Sequence, residues 1–210
     1  MARVLITGMS GVGKSTLLRE LSRRGWPVVD TDDDGWTLPD GTWDEPRMTA
    51  LLAGHDVLVV SGTVDNQGRF YTRFDQVILL SAPLRVMRER IARRTTNPYG
   101  KTAAQMAEIE RYVREVEPLL RRGASVELDG RTPVTELADA VEQLAERPGQ
   151  PAEQTGHPAR RAERTGHPAR RAEQTGHPAR RAEQTGHPAG REVAGREHLP
   201  PGDGRGKHSE

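Results

Sequence analysis

A glycine-rich segment near the amino end has the residue types and spacing that hold a phosphate chain. Residues 8–15 read GMSGVGKS and match the pattern G-x-x-x-x-G-K-[ST] at every specified position. The three glycines let backbone N–H groups turn inward toward phosphate oxygens, and a helix beginning at the loop adds partial positive charge. The segment therefore predicts binding of a nucleoside triphosphate.

The side chains that close this segment predict how the nucleotide is held. Lys14 supplies an ammonium for the β- and γ-phosphates, and the Ser15 hydroxyl is a ligand for Mg²⁺. The predicted cofactors are therefore ATP and Mg²⁺. The alternative is a purely structural glycine-rich turn that contains a lysine by coincidence. The predicted nucleotide-binding residues are Gly8, Met9, Ser10, Gly11, Val12, Gly13, Lys14, Ser15 and Thr16.

Alternating strands and helices must position this segment. Apolar runs predict strands at residues 3–7, 27–30, 56–61, 76–80 and 125–129. Amphipathic patterns predict helices at 15–24, 45–53, from Pro83 to 93, at 106–116 and at 134–144. Short apolar strands separated by helices predict an α/β P-loop NTPase fold, with a five-stranded parallel sheet and helices on both faces.

The composition changes sharply after Arg147. Residues 148–210 contain no Phe, Trp or Tyr but hold 8 of the 15 prolines, 10 of the 22 glycines and 6 of the 7 histidines. Such a segment buries too little apolar surface to offset the entropy of ordering it. We therefore predict a domain over 1–147 and a disordered tail over 148–210.

The tail is built from a decamer repeat. EQTGHPARRA begins at residue 153 and recurs, with small changes, at 163, 173 and 183. The unit has no apolar stripe that stacking could bury, which favours a low-complexity chain. Two functional alternatives remain, namely metal binding by the repeated histidines and weak electrostatic contacts of the arginine pairs with acidic partners.

Charge and cysteine content exclude several classes of protein. The chain has a formal net charge of +1 and no cysteine, which excludes disulfides, thiol nucleophiles and thiolate metal sites. A dedicated nucleic-acid binder would have a strongly basic domain, and this chain has none. No run approaches the ~18 apolar residues of a membrane span. We expect a soluble, cytoplasmic protein without membrane or dedicated nucleic-acid partners.

Other motifs narrow the class of nucleotide enzyme. A GTPase would carry N-K-x-D, which is absent, and the D-x-x-G at residues 32–35 lies too close to the loop for a switch. An ABC or AAA-type motor usually has an acidic residue at the end of a strand, whereas the third predicted strand ends in Ser61. The small P-loop kinases remain.

The segments GMSGVGKSTLLREL and VVDTD resemble the shikimate-kinase and nucleoside-monophosphate-kinase branch of these kinases, over residues 3–145. ARRTTNPYGKT is similar to bacterial ATP-binding, kinase-like proteins. In the shikimate-kinase pattern D-x-D follows the second strand. The resemblance implies that Asp30 supports Mg²⁺ through water and that Asp32 holds a substrate hydroxyl.

Two further segments resemble adenylate kinases. The run from Arg90 to Arg94 is similar to their helix-to-lid arginines, which implies catalytic roles for Arg90 and Arg94 beside Lys14 and Asp32. Residues 129–134 are similar to the loop whose backbone contacts adenine. Where shikimate kinases have three glycines, this chain has Ser61-Gly62-Thr63, which argues against shikimate as the acceptor. The candidate acceptor-site arginines are Arg47, Arg69 and Arg73.

Several of these features have ordinary structural alternatives. The acidic run of Asp30 and residues 32–34 is either a solvated turn or a cation site. Arg93, Arg94 and Lys101 flank either an exposed basic loop or a lid that closes over the triphosphate. The tryptophans, Trp26, Trp36 and Trp43, are packing residues or walls of an acceptor pocket.

The sequence as a whole predicts an ATP-dependent kinase. It would transfer the γ-phosphoryl group to a small acceptor, either a nucleoside monophosphate or a hydroxyl metabolite. One alternative is an adenylate-kinase-like ATPase that acts as a regulatory or assembly factor. The other is a non-catalytic ATP-sensing module that uses the repeat tail to bind partners.

Overall fold

A computed structural model describes residues 2–32 and 35–146 of the chain. Asp33 and Asp34 in the acidic turn, and the predicted disordered tail at 148–210, lie outside the described residues.

The described strands form one parallel sheet. They are β1 (Ala2–Thr7), β2 (Val28–Asp30), β3 (Val57–Ser61), β4 (Gln76–Ser81) and β5 (Val126–Asp129). Their order is β2-β3-β1-β4-β5, with all neighbours parallel. Because β1 is central, the loop that follows it lies at the middle of the carboxyl edge of the sheet. The predicted five-stranded parallel sheet is confirmed.

The helices are α1 (Lys14–Arg23), α2 (Glu45–Ala53), α3 (Leu84–Arg93), α4 (Ala103–Glu115), α5 (Glu117–Gly123) and α6 (Val134–Glu146). A 3₁₀ helix spans Gln67–Arg73. Neither α5 nor the 3₁₀ helix is predicted by the sequence pattern. Pro118 lies in the first turn of α5, where its missing N–H costs no intrahelical hydrogen bond.

The core has a cluster on each face of the sheet. Val4 and Ile6 of β1 belong to one cluster together with residues of α1, α3 and α6. Leu5, between them, belongs to the other cluster together with α2 and the 3₁₀ helix. Successive side chains of a strand point to opposite faces, so a continuously apolar β1 needs helices on both sides. This confirms the predicted layering.

None of the described helices combines the length and apolar character that crossing a membrane requires.

Candidate nucleotide-binding site

The glycine-rich segment is the turn between β1 and α1, and its glycines are needed for different reasons. Gly8, Gly11 and Gly13 all have positive φ angles, of 145°, 91° and 116°. A Cβ on Gly8 would lie 2.1 Å from the Leu80 carbonyl oxygen, and one on Gly11 would lie 3.0 Å from that of Met87. At Gly13 the nearest heavy atom would be 3.6 Å away. There the backbone conformation alone favours glycine.

Lys14 is folded back over the loop. Its ammonium donates a hydrogen bond to the Gly8 carbonyl oxygen at 2.7 Å, and the residue is only 9% exposed. The charge is therefore held inside the loop. Triphosphate oxygens would lie in such a loop, which makes Lys14 a suitable phosphate-binding cation.

Thr63 also contacts Gly8, from the segment that follows β3. Its hydroxyl donates to the Gly8 carbonyl at 2.9 Å and accepts from the Gly8 N–H at 3.2 Å. The sequence pattern places Thr63 in the segment Ser61-Gly62-Thr63 but predicts no contact between it and the phosphate loop. The signal available was the position of Thr63 after a strand, since parallel strands next to each other end at the same edge of the sheet.

The two predicted magnesium-binding residues lie together. Asp30 ends β2, and its carboxylate lies close enough to the Ser15 hydroxyl for that hydroxyl to lower its pKa. Burial raises the pKa of Asp30, and the charge of Asp32 raises it further. The Lys14 ammonium and the Ser15 hydroxyl act in the opposite direction. Asp32 adjoins this group, since its backbone N–H donates to Asp30 Oδ1 at 3.3 Å.

These oxygens fit Mg²⁺. A hydroxyl and a carboxylate are the hard donors that the ion prefers, and Mg²⁺ usually takes few protein ligands beside water and phosphate oxygens. Within residues 2–32 and 35–146, no group of three or more His, Asp or Glu side chains could hold a metal ion. The donor set thus suits an ion bound mainly through nucleotide and water, rather than an all-protein cage.

Arg94 reaches the loop from the carboxyl end of α3. One guanidinium nitrogen, Nη2, donates to the Ser10 hydroxyl at 3.2 Å and to the Tyr99 carbonyl at 2.6 Å. Burial lowers the pKa of Arg94, whereas the charge of Asp32 acts in the opposite direction. Arg94 and Asp32, which are both predicted to be catalytic, therefore lie within electrostatic reach of each other, and Arg94 contacts the phosphate loop.

Arg90 bridges two loops. It donates from Nη1 to the Val12 carbonyl and from Nη2 to the Gly130 carbonyl, both at 2.7 Å. A Cβ on Gly130 would lie 2.6 Å from the Val12 carbonyl oxygen, so the loops are closely apposed. Arg90 thus joins the phosphate loop to the predicted adenine-contacting segment, and its catalytic role stays a prediction.

The candidate lid has its own internal contacts. Lys101 donates to the carbonyls of Ile91, Ala92 and Arg94, at 2.5, 2.7 and 2.8 Å. It therefore satisfies the carboxyl end of α3, where a cation is favourable. Tyr99 is buried and donates to Glu108 at 2.9 Å. Arg94 donates to the phosphate loop at Ser10, whereas Lys101 donates to carbonyls at the end of α3.

The arginines and tryptophans that the sequence suggests for an acceptor pocket lie in different surroundings. The Arg47 guanidinium lies 4.2 Å from the Trp36 ring centroid, and Arg69 forms an ion pair with Glu45 at 2.5 Å. Trp43 is fully buried in the core, which gives it a packing role. The Trp26 indole donates to Glu142 of α6 at 2.9 Å. Arg73 is exposed.

The chain is similar to known proteins. Residues 4–112 match the family described as AAA domain. The dephospho-CoA kinase of Corynebacterium glutamicum is 27% identical over 153 residues, which cover 71% of this chain and 74% of that protein.

Solved structures of shikimate kinases are similar in fold. The enzyme from Acinetobacter baumannii, solved in complex with shikimate, has a TM-score of 0.53 at 21% identity and covers 69% of this chain and 92% of its own. The enzyme from Bacteroides thetaiotaomicron has a TM-score of 0.54 at 18% identity, covering 70% and 99%.

The loop is that of a P-loop protein, and the fold is similar to that of the solved shikimate kinases. The chain belongs to the AAA-domain family, whose match spans more than half of its length. Ser61, rather than an acidic residue, ends β3 and is fully buried. The feature expected of an AAA-type motor is therefore missing at this strand end.

Proposed function

We propose that this protein is a kinase that transfers the γ-phosphoryl group of ATP to a hydroxyl group of a small acceptor. The observation that carries the proposal is that Lys14 and Ser15, at the start of α1, and Asp30, at the end of β2, lie at the carboxyl edge of the sheet within electrostatic reach of one another. Asp32 and Arg94 adjoin the same edge. The group contains the cation, metal ligands, base and second cation that phosphoryl transfer needs.

Each residue has a distinct task in this proposal. Backbone N–H groups of the loop and Lys14 hold the β- and γ-phosphates of ATP. Ser15 and Asp30 hold Mg²⁺, which neutralises phosphate charge when bound. Asp32 accepts a hydrogen bond from the acceptor hydroxyl and orients its oxygen toward the γ-phosphorus. Arg94 compensates the negative charge on the transferred group.

The reaction balances without a further reactant. The acceptor oxygen forms a bond to the γ-phosphorus while the bond from that phosphorus to the β–γ bridging oxygen breaks. ADP leaves with that bridging oxygen, and the hydroxyl proton passes to Asp32. Because the protein makes no covalent intermediate, positioning and electrostatics supply the rate acceleration.

The dephospho-CoA kinase and shikimate kinase similarities support a kinase and leave the acceptor open. A panel incubated with γ-labelled ATP and Mg²⁺ tests the proposal. It contains dephospho-CoA, shikimate, gluconate, simple sugars and the nucleoside monophosphates. We expect label to appear on one hydroxyl compound, and no transfer by the Lys14→Ala variant. Label on a nucleoside monophosphate would move the acceptor class from hydroxyl to phosphate.

Two other results would contradict the proposal. Steady ATP hydrolysis that no acceptor stimulates would favour the regulatory or assembly ATPase. Tight ATP binding without hydrolysis or transfer would favour the ATP-sensing module. Isothermal titration with a non-hydrolysable ATP analogue separates this second result from a protein that binds no nucleotide.

A further inference from the structure

Arg94 is held at both ends by the short turn that follows it, residues 95–102, which leads from α3 into α4. Lys101 Nζ donates to the backbone carbonyl of Arg94 at 2.8 Å, and the Tyr99 carbonyl accepts from its guanidinium Nη2 at 2.6 Å. The same Nη2 donates to the Ser10 hydroxyl of the phosphate loop at 3.2 Å. The turn therefore determines where the guanidinium lies relative to the loop.

The contacts of Lys101 use all of its protons. An ammonium has three N–H donors, and the carbonyls of Ile91, Ala92 and Arg94 accept them at 2.5, 2.7 and 2.8 Å. These carbonyls lie at the carboxyl end of α3, where the helix itself supplies no further N–H groups. Lys101 therefore fixes the backbone at which Arg94 leaves the helix and has no proton left for a phosphate.

The rest of the turn is anchored between α3 and α4. Tyr99 is 2% exposed, and its hydroxyl donates to Glu108 of α4 at 2.9 Å. Gly100 has a φ angle of 89°, and a Cβ there would lie 2.8 Å from Ile91 Cγ2 and 3.0 Å from Ile109 Cδ1. Segments that open easily have few buried contacts. These contacts therefore suit a fixed support for Arg94 better than a lid that swings open.

The guanidinium of Arg94 keeps one buried donor for a ligand. Among the described residues, none accepts a hydrogen bond from Arg94 Nε, although this atom is buried. A buried N–H without a partner costs free energy, and burial also lowers the pKa of Arg94. A phosphoryl oxygen would supply both an acceptor and a negative charge.

We infer that Lys101 is a positioning residue of the proposed transfer reaction, which fixes the backbone of Arg94 and thereby the place of its guanidinium. Without this support the long arginine side chain would turn toward solvent, where it regains rotamer freedom and its charge is hydrated. A misplacement of about 1 Å can cost roughly 10²-fold in rate. The inference rests on the proposed role of Arg94 but not on the identity of the acceptor.

A double-mutant cycle with Arg94→Gln isolates this role. Lys101→Met keeps a long aliphatic side chain but removes all three donors. If Lys101 acts through Arg94, the loss of its donors lowers the rate only while the guanidinium is present. If Lys101 merely stabilises the fold, the loss of rate is the same in both backgrounds.

The experiment measures ADP release by the full-length chain at saturating ATP and Mg²⁺. The acceptor is the panel compound that gives the fastest turnover, or water where no compound is phosphorylated. Lys101→Met should lower kcat by about tenfold or more in the Arg94 background, and by less than about twofold in the Arg94→Gln background. If Lys101→Met folds poorly, Lys101→Gln, which keeps two N–H donors, gives the same comparison.

ATP affinity supplies a second readout. The phosphate loop and Lys14 hold the nucleotide in the proposed site, whereas Arg94 acts mainly on charge that develops in the transition state. The dissociation constant of a non-hydrolysable ATP analogue, measured by isothermal titration calorimetry, should therefore change by less than about twofold in Lys101→Met. A general loss of structure would instead weaken binding and lower the rate together.

Arg24→Met is a matched control for stability. Arg24 is also a cation at the carboxyl end of a helix, α1, and it donates to the Thr135 carbonyl at 3.0 Å and to Glu142 at 2.8 Å. Its loss should lower Tm but change kcat by less than about twofold, because these contacts lie between α1 and α6 rather than beside Arg94.

Two results would overturn the inference and leave the kinase proposal standing. Equal losses of kcat from Lys101→Met in both backgrounds would mean that Lys101 only stabilises the fold. An unchanged kcat in the Arg94 background would remove its role. ATP hydrolysis without transfer would overturn the kinase proposal alone, since the cycle is then measured with water as the acceptor. A chain that binds ATP but releases no ADP would overturn both.

Discussion

The guanidinium of Arg94 donates a hydrogen bond to the Ser10 hydroxyl at 3.2 Å and thereby joins the end of α3 to a loop 84 residues earlier in the chain. The same Nη2 atom is bonded to the Tyr99 carbonyl, which holds the side chain against the loop. In the proposed reaction Arg94 is therefore already oriented, and little side-chain entropy would be lost when charge develops on the phosphoryl group.

We predict that Arg94→Gln lowers the rate of transfer by about 10²-fold or more, while ATP affinity falls far less. The reason is that the guanidinium compensates charge that is greatest in the transition state. A coupled assay of ADP release at saturating ATP measures the effect. Arg93→Gln is the control, because Arg93 lies beside Arg94 but is exposed. Equal losses in both variants would contradict a specific role for Arg94.

Arg90→Gln should lower the stability of the fold and the affinity for ATP. It removes two hydrogen bonds between a charged donor and the Val12 and Gly130 carbonyls. We expect the free energy of unfolding to fall by roughly 1–3 kcal/mol, with a weaker site for ATP because the two loops separate. Thermal unfolding with and without ATP measures both effects.

The control for Arg90 lies on the same helix. Arg85 pairs with Glu89 at the exposed surface, so Arg85→Gln should change stability by less than about 0.5 kcal/mol. An Arg90→Gln variant with wild-type stability and a loss confined to the rate of transfer would show that Arg90 acts as the predicted catalytic arginine instead.

The sequence predicts the sheet well because buried parallel strands read as short apolar runs. The glycine-rich loop is equally easy to predict from the sequence, because its glycines and Lys14 are close together in the chain. Thr63 and the bridging role of Arg90 depend on contacts between segments 55 and 78 residues apart. No local pattern encodes such a contact. The 3₁₀ helix at Gln67–Arg73 is missed because it is too short to show a period.

The roles of Trp43 and Lys101 also cannot be predicted from the sequence pattern. Both types occur in binding sites and in purely structural positions. Trp43 is fully buried in the core, and Lys101 closes the end of α3. Only the tertiary neighbours decide between these roles.

Asp30→Asn should increase the stability of the free protein at neutral pH. The folded state raises the pKa of Asp30, mainly by burial. A raised carboxyl pKa means that the ionised form destabilises the fold once the pH exceeds the folded pKa. The stabilising effect of the protonated form is complete below the unfolded value and is lost as the pH rises. The amide should therefore raise Tm at pH 7, and this gain should shrink as the pH falls through the folded pKa of Asp30 and be absent below the unfolded value of about 4.

Thermal unfolding of the free protein between pH 3 and pH 8 tests this dependence. Asp56→Asn replaces an exposed carboxylate and serves as the control; it should shift stability by less than about 0.5 kcal/mol. A lower Tm for Asp30→Asn at pH 7 would mean that the Ser15 and Lys14 contacts outweigh the burial of Asp30.

Asp30 and Asp32 should also differ in catalysis. Asp30→Asn should weaken the dependence of activity on Mg²⁺ and lower the rate with any acceptor. Asp32→Asn should lower transfer by roughly 10²–10⁴-fold and leave ATP affinity nearly normal. Titration of Mg²⁺ at fixed ATP, and of the acceptor at saturating ATP, separates the two. Asp33→Asn and Asp34→Asn, outside the described residues, are expected to be tolerated. If all four variants behave alike, the turn is only an acidic surface.

Removal of residues 148–210 should leave the chemistry intact. The described fold ends with α6, whose Leu137, Ala138 and Val141 already pack into the core. The removed segment has no aromatic residue, and Val193 and Leu199 are its only apolar side chains larger than alanine and proline. It therefore offers little surface to bury against the domain. A chain ending at Arg147 should retain the Tm, the ATP affinity and the rate of transfer of the full-length protein.

Amide hydrogen exchange of the full-length chain supplies the second measurement for this prediction. Backbone N–H groups that make no lasting hydrogen bonds exchange at the rate of an unfolded peptide, so residues 150–210 should show no protection, with or without ATP. The removal changes the formal net charge from +1 to about −2. The comparison is therefore made at two ionic strengths, because an effect of charge alone is screened by salt. A loss of several degrees in Tm at both ionic strengths, together with protection in the repeats, would mean that the decamers dock on the domain.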